Sequence, residues 1–339
     1  LFKNTPEILD IRLNEINISV LLKLFFSNQK KTFFNYVILY IKITDPKHVI
    51  TFNDNLNWFY KLKKKFPKKN FISFQNGFRT KSFFRELSDE KEHLSADLIC
   101  TFNRSFAKEF KKKINCNTLV VGSIKNNLKK IQNNKKKRNS ILLVSSGYPE
   151  RRYFQSYNKK YYNYLSSKFY YNDEILTKNI VKFCKFKNLT LEISPKNKND
   201  LNEYNYFKKI VQNNEFIYHN NSYSNMKTYD LADQVNMTVC SHTAFGFENL
   251  ARGNKTVIFN NKKIFTKGMW DIFWYLEVKS KGFFWTDSLE RKEIRTLLNK
   301  IYEISDYTWE KKTKNLIPEL MYFDRKNEKL KKLKKILNS

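Results

Sequence analysis

The stretch from residue 230 to residue 260 constrains the fold of this chain most strongly. It opens with an apolar run of β-type residues, Val235–Cys240, and continues through a short polar segment into a helix that Gly253 ends. A second apolar strand follows at Thr256–Phe259. Strand, loop, helix and strand in this order form the repeating unit of a parallel α/β sheet. The stretch therefore predicts at least one parallel-sheet domain.

The polar segment between strand and helix consists of Ser241, His242 and Thr243. Backbone N–H groups at a helix N-terminus have no partner within the helix, and the helix dipole is positive there. Such a point favours a phosphate or another anion. The alternative, which the residues alone leave open, is that the Ser and Thr hydroxyls only cap the helix.

Apolar runs that alternate with helical patterns continue on both sides of this stretch. Such alternation predicts two Rossmann-like α/β halves. In such sheets the loops after the strands line the ligand crevice. The other predicted strands are His48–Phe52, Asn70–Phe74, Ala96–Phe102, Thr118–Val121, Ile141–Val144, Leu189–Ile193 and Glu215–Tyr218. Residues 148–172 are predicted to be an aromatic and basic insert, and the chain should end in helices.

A run of lysine and asparagine at residues 125–138 separates the two halves. Its low complexity and charge density favour a linker, while a basic patch for a membrane or polyanion is the alternative. We therefore expect an N-terminal domain at residues 1–137, a second domain at residues 138–320 and a basic helical tail at residues 321–339.

Part of the chain resembles the nucleotide-sugar-binding unit of GT-B glycosyltransferases, and most closely that of bacterial surface-carbohydrate (lipopolysaccharide or capsule) biosynthesis proteins. The loops at residues 71–77 and 121–126 are similar to segments of the same family's first domain. The resemblance implies two Rossmann-like domains facing across a cleft and a C-terminal helical return. The matching residues of the unit are Asp233, Ser241, Thr243, Gly246, Glu248, Ala251-Arg252-Gly253 and Lys255.

The resemblance also implies where a nucleotide-sugar donor would bind. Glu248 would bond the ribose hydroxyls, and Lys196 at a strand end could neutralise the leaving phosphate; a solvent-facing carboxylate and an ordinary surface lysine are the alternatives. No metal or other cofactor is expected, because GT-B enzymes hold the donor phosphate with helix N-termini and basic side chains. The expected donor-binding residues are Ser146, Gly147, Lys196, Ser241, His242, Thr243 and Glu248.

The acceptor side is expected in the first domain. An inverting transfer needs a general base that removes the acceptor's hydroxyl proton. Asp54 is the candidate, and the alternative is that it caps the following helix. Gln75, Asn76 and Gly77 would position the acceptor, and His242 could act as a proton donor or phosphate ligand. The residues do not decide between inversion and retention.

The formal net charge of +32 in 339 residues attracts anions such as nucleic acid, anionic lipid or phosphorylated substrates. Compositional bias toward lysine and asparagine is the alternative cause. The four cysteines show no metal or disulfide spacing, and no apolar run is long enough to span a bilayer. We therefore expect a cytoplasmic protein, with peripheral contact to the inner face of an anionic membrane.

Taken with the resemblance, the sequence predicts a glycosyltransferase that moves a sugar from a nucleotide-activated donor to a bacterial glycan or glycolipid acceptor. One alternative is a polyol-phosphate or polysialic-acid-type transferase with a cytidine donor. Another is a basic nucleic-acid-binding protein, disfavoured because no nucleic-acid motif accompanies the charge. A homologue without catalytic activity is a further alternative.

Overall fold

The computed structural model folds into two compact units. The first contains Leu1–Asn76, Glu86–Val121 and Lys326–Ser339, and the second contains Gly77–Arg85 and Gly122–Arg325. The division at Val121 differs from the expected boundary at residue 137. The structure describes residues 8–9, 16–90, 92–132, 138–146, 159–196, 199–212, 215–220, 226–266, 268, 271–276 and 280–338.

The first unit is built on a four-stranded parallel sheet in the order β1-β2-β3-β4. The helices between the strands bury apolar faces and leave lysines outside; α5, for example, buries Phe106 and Phe110. The strands are β1 (His48–Thr51), β2 (Asn70–Phe74), β3 (Ser95–Thr101) and β4 (Asn115–Val120). The helices are α1 (Ile18–Phe26), α2 (Phe33–Thr44), α3 (Asn57–Lys65), α4 (Lys81–Ser88), which crosses the division at Arg85, and α5 (Arg104–Lys113).

The chain returns to the first unit with its last helix, α15 (Glu328–Asn338). Leu330 and Leu333 of this helix are buried, and Lys329 Nζ donates a hydrogen bond of 2.8 Å to the carbonyl of Val120. The predicted C-terminal helical return is therefore confirmed.

The second unit carries a six-stranded parallel sheet in the order β10-β9-β8-β5-β6-β7. The strands are β5 (Arg138–Val144), β6 (Thr190–Ser194), β7 (Phe216–Tyr218), β8 (Val235–Ser241), β9 (Thr256–Phe259) and β10 (Trp285–Thr286). The helices are α6 (Ile124–Leu128), α7 (Lys159–Lys187), α8 (Leu201–Val211), α9 (Lys227–Ala232), α10 (Ala244–Ala251), α11 (Lys262–Phe265), α12 (Arg291–Glu303), α13 (Asp306–Thr313) and α14 (Ile317–Leu320). Two parallel α/β sheets confirm the predicted fold class.

Two parts of the second unit differ from the expectations. Residues 159–172 of the expected insert form the first half of α7, so this part is helical; residues 148–158 lie outside the described residues. The expected linker begins as helix α6, and its next residues dock on the same unit. There, Lys129 Nζ lies 2.6 Å from Asp230 Oδ2, and the Gln132 N–H donates a 3.0 Å hydrogen bond to Asp233 Oδ2.

Helix α10 lies against the central strand β8 because residue 246 is glycine. A Cβ added to Gly246 would stand 3.1 Å from the Cβ of Cys240 and 3.4 Å from the Cδ1 of Ile258. A larger side chain would therefore push the helix away from β8 and β9. Gly246, one of the residues that match the GT-B unit, therefore lets α10 pack closely on β8 and fixes the position of the loop before α10.

Candidate functional site

The strand order of the second unit marks the place where a ligand would bind. From β5 the chain proceeds outward through β6 and β7, and from β8 it proceeds the other way through β9 and β10. The connections therefore reverse direction between the adjacent strands β5 and β8. In open parallel sheets, ligands bind at the carboxyl ends of the strands beside such a switch point.

A cleft lies at this point of the second unit. Its polar lining includes Ser145 and Ser146 after β5, Ser241 at the end of β8, and Asp173 on α7. Ser146 and Ser241 are predicted donor-binding residues, so the structure brings these two together at one cleft. Gly147 lies outside the described residues.

The loop after β8 has the sharp geometry of a turn into a helix. His242 adopts the left-handed conformation with φ 46°, and its Nδ1 lies 3.4 Å from Ser241 Oγ. Thr243 Oγ1 accepts a 3.3 Å hydrogen bond from the Phe245 N–H. The capping alternative therefore describes Thr243, whereas the buried Ser241 lines the cleft. Contacts of His242 and Thr243 with a donor stay predictions.

Lys262, a residue that the sequence did not single out, reaches the same cleft from α11. Its Nζ donates a 3.0 Å hydrogen bond to Ser146 Oγ and lies 4.0 Å from Asp173 Oδ2. Burial lowers the pKa of Lys262, and the charge of Lys196 lowers it further, while Asp173 raises it. Burial likewise raises the pKa of Asp173, against the opposing effect of Lys262. A poorly solvated ammonium thus lies beside the Ser146 hydroxyl at the edge of the cleft.

The predicted Lys196 lies just beyond β6. Its backbone N–H donates a 3.2 Å hydrogen bond to Glu203 Oε1 of α8. The pKa of Lys262 is lowered mainly by burial, and the charge of Lys196 adds a smaller lowering, so the two ammonium groups belong to one electrostatic neighbourhood. A pair of cations near one cleft would be stabilised by an anion between them.

Glu248 does not face the solvent. It is buried, and its Oε2 accepts a 2.6 Å hydrogen bond from the Tyr229 hydroxyl. Burial raises the pKa of Tyr229, and the charge of Glu248 raises it further, so the phenol stays a donor. The solvent-facing alternative is therefore wrong, and the role of Glu248 toward a ribose stays a prediction.

Asp233 and Arg252, which also match the GT-B unit, form a buried ion pair. Arg252 Nε and Nη2 lie 3.0 and 2.5 Å from the two carboxylate oxygens of Asp233. The guanidinium also donates to Asn126 Oδ1 and to the carbonyls of Lys129 and Lys130. This pair therefore holds the segment after α6 against α9 and α10, and its function is structural.

The predicted acceptor residues of the first unit lie at the ends of its strands. Asp54 is fully buried, and its Oδ1 accepts a 3.0 Å hydrogen bond from the Asn76 N–H. Gln75 Oε1 accepts a 2.9 Å bond from the Phe102 N–H. Asp54, Gln75 and Asn76 thus join the loops after β1, β2 and β3.

Helix α3 takes Leu56, and not Asp54, as its N-cap residue, and Leu56 makes no side-chain capping hydrogen bond. The contacts fit a residue that positions the loop after β2, and the general-base role stays a prediction. Gly77 falls in the second unit.

Metal binding and membrane spanning were also considered within the described ranges. There, no three His, Cys, Asp or Glu side chains stand close enough together to hold a metal ion. The absence of a metal from the reaction stays a prediction. None of the helices in these ranges combines the length and apolar character needed to cross a bilayer.

Comparison with known proteins identifies the family. The profile of a family described as "putative O-antigen biosynthesis protein" matches residues 72–338, which is 267 of the 339 residues. The chain belongs to this family. The match confirms the resemblance seen in the sequence and ties the protein to surface-glycan biosynthesis. No curated protein sequence matches the chain.

Solved structures are similar in fold. S. aureus MnaA, determined with UDP, has a TM-score of 0.53 and 12% identity over 98% of this chain and 82% of its own. A UDP-GlcNAc 2-epimerase from Neisseria meningitidis, bound to UDP-GlcNAc, has a TM-score of 0.52 and 10% sequence identity. The match covers 90% of this chain and 80% of the epimerase. Acinetobacter baumannii MurG has a TM-score of 0.49 and 9% sequence identity, and the match covers 94% of this chain and 79% of MurG. At these identities the first two matches support the GT-B-like fold alone.

Proposed function

We propose that this member of the O-antigen biosynthesis family is a GT-B-type glycosyltransferase that moves a sugar from a nucleotide-activated donor to a surface-glycan acceptor. The observation that carries the proposal is the cleft between the ends of β5 and β8. Ser146 and Ser241 line this cleft, and the buried ammonium of Lys262 donates a hydrogen bond to the Ser146 hydroxyl. Hydroxyl donors and a poorly solvated cation suit the phosphate groups of a nucleotide.

In the proposed reaction the cleft stabilises the leaving nucleotide. As the bond between sugar and phosphate breaks, negative charge grows on the phosphate oxygens. Lys262 and Lys196 would offset that charge more effectively than in water, because Lys262 is almost removed from solvent. Ser241 and Ser146 would donate hydrogen bonds to the same oxygens. Cationic side chains in these roles make a metal ion unnecessary for the proposed step.

The other predicted residues complete the proposal. His242 stands one residue beyond Ser241 and would contact the donor as a phosphate ligand or proton donor. Glu248 would bind the ribose. Asp54, held by the Asn76 N–H, would act on the acceptor's hydroxyl, directly or by ordering the loop that contains Gln75 and Asn76. The acceptor would be a glycan or glycolipid of lipopolysaccharide, O-antigen or capsule. The enzyme would work in the cytoplasm, in peripheral contact with an anionic membrane.

The test is nucleotide binding by the intact chain. Thermal unfolding would be followed with UDP, GDP, CMP, CDP and ADP for the wild type and for Ser241→Ala and Lys262→Gln. Lys178→Gln serves as the control, since it removes the same charge from an exposed pair with Glu174. We expect one nucleotide to raise the melting temperature. Its affinity should fall about ten-fold or more in both cleft variants, because each loses a hydrogen bond to an anion, and not in the control.

Three outcomes would argue against the proposal. Absence of any shift with the wild type would leave the cleft without a nucleotide. Equal binding by both cleft variants would place the nucleotide elsewhere. If the protein converts a bound UDP-sugar to its 2-epimer and transfers no sugar to an acceptor, its activity is epimerisation and not glycosyl transfer. A CMP- or CDP-specific shift would instead support the cytidine-donor form of the transferase.

A further inference from the structure

Helix α1 presents an apolar stripe to the solvent. Val20 and Leu24 are its buried residues. The stripe, at positions spaced as i, i+3, i+4 and i+7, consists of Ile18, Leu21, Leu22 and Phe25, and Phe26 extends it. Such spacing defines one face of a helix, which in a globular protein normally packs on the core.

The exposed area of this stripe is large. The relative exposure of the five side chains ranges from 45% for Leu21 to 79% for Phe26. Together they expose on the order of 500 Å² of apolar surface, which is at the upper end for a monomer and typical of an interaction site. Single exposed apolar residues need no explanation, but five contiguous ones on one short helix indicate a partner.

Helices α1 and α2 carry charge of one sign. Residues 16–44, which cover α1 and α2, contain four lysines and no aspartate or glutamate. All four lysines, Lys23, Lys30, Lys31 and Lys42, are exposed. Lys31 Nζ donates a 2.7 Å hydrogen bond to the Leu24 carbonyl, which fixes this cation at the C-terminal end of α1.

We propose that α1 is a membrane-docking helix that lies in the interface of an anionic bilayer. The stripe would enter the boundary between headgroups and acyl chains, and the lysines would contact the headgroup phosphates. Nine residues make a helix of about 14 Å, too short to cross the hydrocarbon core but long enough to lie along its surface.

The charge pattern selects this occupant over a second copy of the chain. A symmetric dimer through α1 would bring two identical patches together, each with exposed lysines and no carboxylate of α1 or α2 to offset them. An anionic bilayer supplies both the apolar phase and the opposite charge. The inference names the element that would make the membrane contact proposed above, and it does not depend on sugar transfer.

The experiment is co-sedimentation of the whole chain with lipid vesicles. Vesicles of equal parts phosphatidylcholine and phosphatidylglycerol are compared with vesicles of phosphatidylcholine alone. The test variant is Leu22→Ser with Phe25→Ser. The matched control is Phe186→Ser with Leu201→Ser, which removes a leucine and a phenylalanine of similar exposure from the second unit and leaves the charge unchanged.

We expect the wild type to bind the anionic vesicles at least about ten-fold more tightly than the α1 variant, because two buried apolar anchors are lost. The control should bind like the wild type, and all proteins should bind neutral vesicles less. The circular dichroism spectrum and the melting temperature of the α1 variant without ligand should match the wild type, which shows that it is folded whether or not a nucleotide binds.

The proposal is overturned if the wild type does not sediment with anionic vesicles, or if the α1 variant sediments equally well. It is also overturned if gel filtration shows a wild-type dimer that the α1 variant turns into a monomer, since the stripe would then be covered by a second copy.

Discussion

The buried pair of Asp233 and Arg252 should be among the most sensitive points of the second unit. Both side chains are at most 1% exposed, so water screens neither charge. Asp233 also accepts hydrogen bonds from the Gln132 N–H and from Asn254 Nδ2, at 3.0 and 2.8 Å. Replacing Asp233 by alanine would leave the guanidinium of Arg252 buried without its counter-charge.

We expect Asp233→Ala to lower the free energy of unfolding of this unit by about 3–5 kcal/mol, the cost of leaving one partner of a buried pair uncompensated. Domains have only about 5–15 kcal/mol of stability, so the loss is a large fraction. Removing both charges in Asp233→Ala/Arg252→Met should restore at least about 1 kcal/mol of it, because no unpaired charge then stays buried. The exposed pair of Glu174 and Lys178 is the matched comparison, and Glu174→Ala should cost only about 0.3–0.5 kcal/mol.

The assay is urea unfolding followed by tryptophan fluorescence. Trp309 is a suitable reporter because its indole N–H donates a 3.1 Å hydrogen bond to the Gly253 carbonyl, one residue after Arg252. Circular dichroism at low urea checks that each variant folds. The reasoning is refuted if Asp233→Ala lowers the free energy of unfolding no more than Glu174→Ala does. It is also refuted if the costs of Asp233→Ala and Arg252→Met simply add in the double variant, because the two charges would then not interact.

Two further predictions follow from backbone geometry and from pH. A Cβ at Gly122, whose φ is 73°, would stand 1.9 Å from the Tyr322 carbonyl oxygen, whereas a Cβ at Gly253 (φ 91°) would meet nothing within 4 Å. Gly122→Ala should therefore destabilise the protein by at least about 2 kcal/mol more than Gly253→Ala, which carries only the left-handed strain of about 1–2 kcal/mol. Equal urea midpoints for the two variants would contradict this. Burial raises the pKa of Glu192, but hydrogen bonds from His219 and Ser140 and the charge of Arg138 outweigh it and hold the pKa below the ordinary 4.5. A lowered folded-state pKa stabilises the protein above pH 4.5, and this stability is lost as the pH falls through the folded-state value. Glu192→Gln should be less stable than the wild type near neutrality and approach it in acid. A difference that does not change with pH would exclude the effect.

Most strands could be predicted from the sequence. The strands Asn70–Phe74 and Thr256–Phe259 begin and end at the predicted residues, because short apolar runs are bounded there by polar or glycine-containing segments. The start of α7 was missed, since residues 159–172 are rich in tyrosine, lysine and asparagine and lack a clear apolar period. Helix α6 was hidden in a low-complexity run for the same reason.

The candidate site was only partly predictable. Ser146 and Ser241 could be found because both follow strands whose carboxyl ends meet at one edge of the sheet. Lys262 could not, because it is one lysine among many in a chain of 64 lysines and arginines. Only the packing of α11 and α7 brings it to Ser146 and Asp173. Asp233 and Arg252 stood out as residues that match the family's pattern, but their pairing depends on the packing of α10 against β8.

The return of α15 to the first unit has a consequence for synthesis on the ribosome. Residues 122–325 are translated between β4 and this helix, so the sheet of the first unit is made long before α15. Until then, the surface that buries Leu330, Leu333 and Leu337 in the finished protein lacks its cover. The nascent first unit therefore has an apolar surface for a chaperone to protect, and it is complete only once α15 has been made.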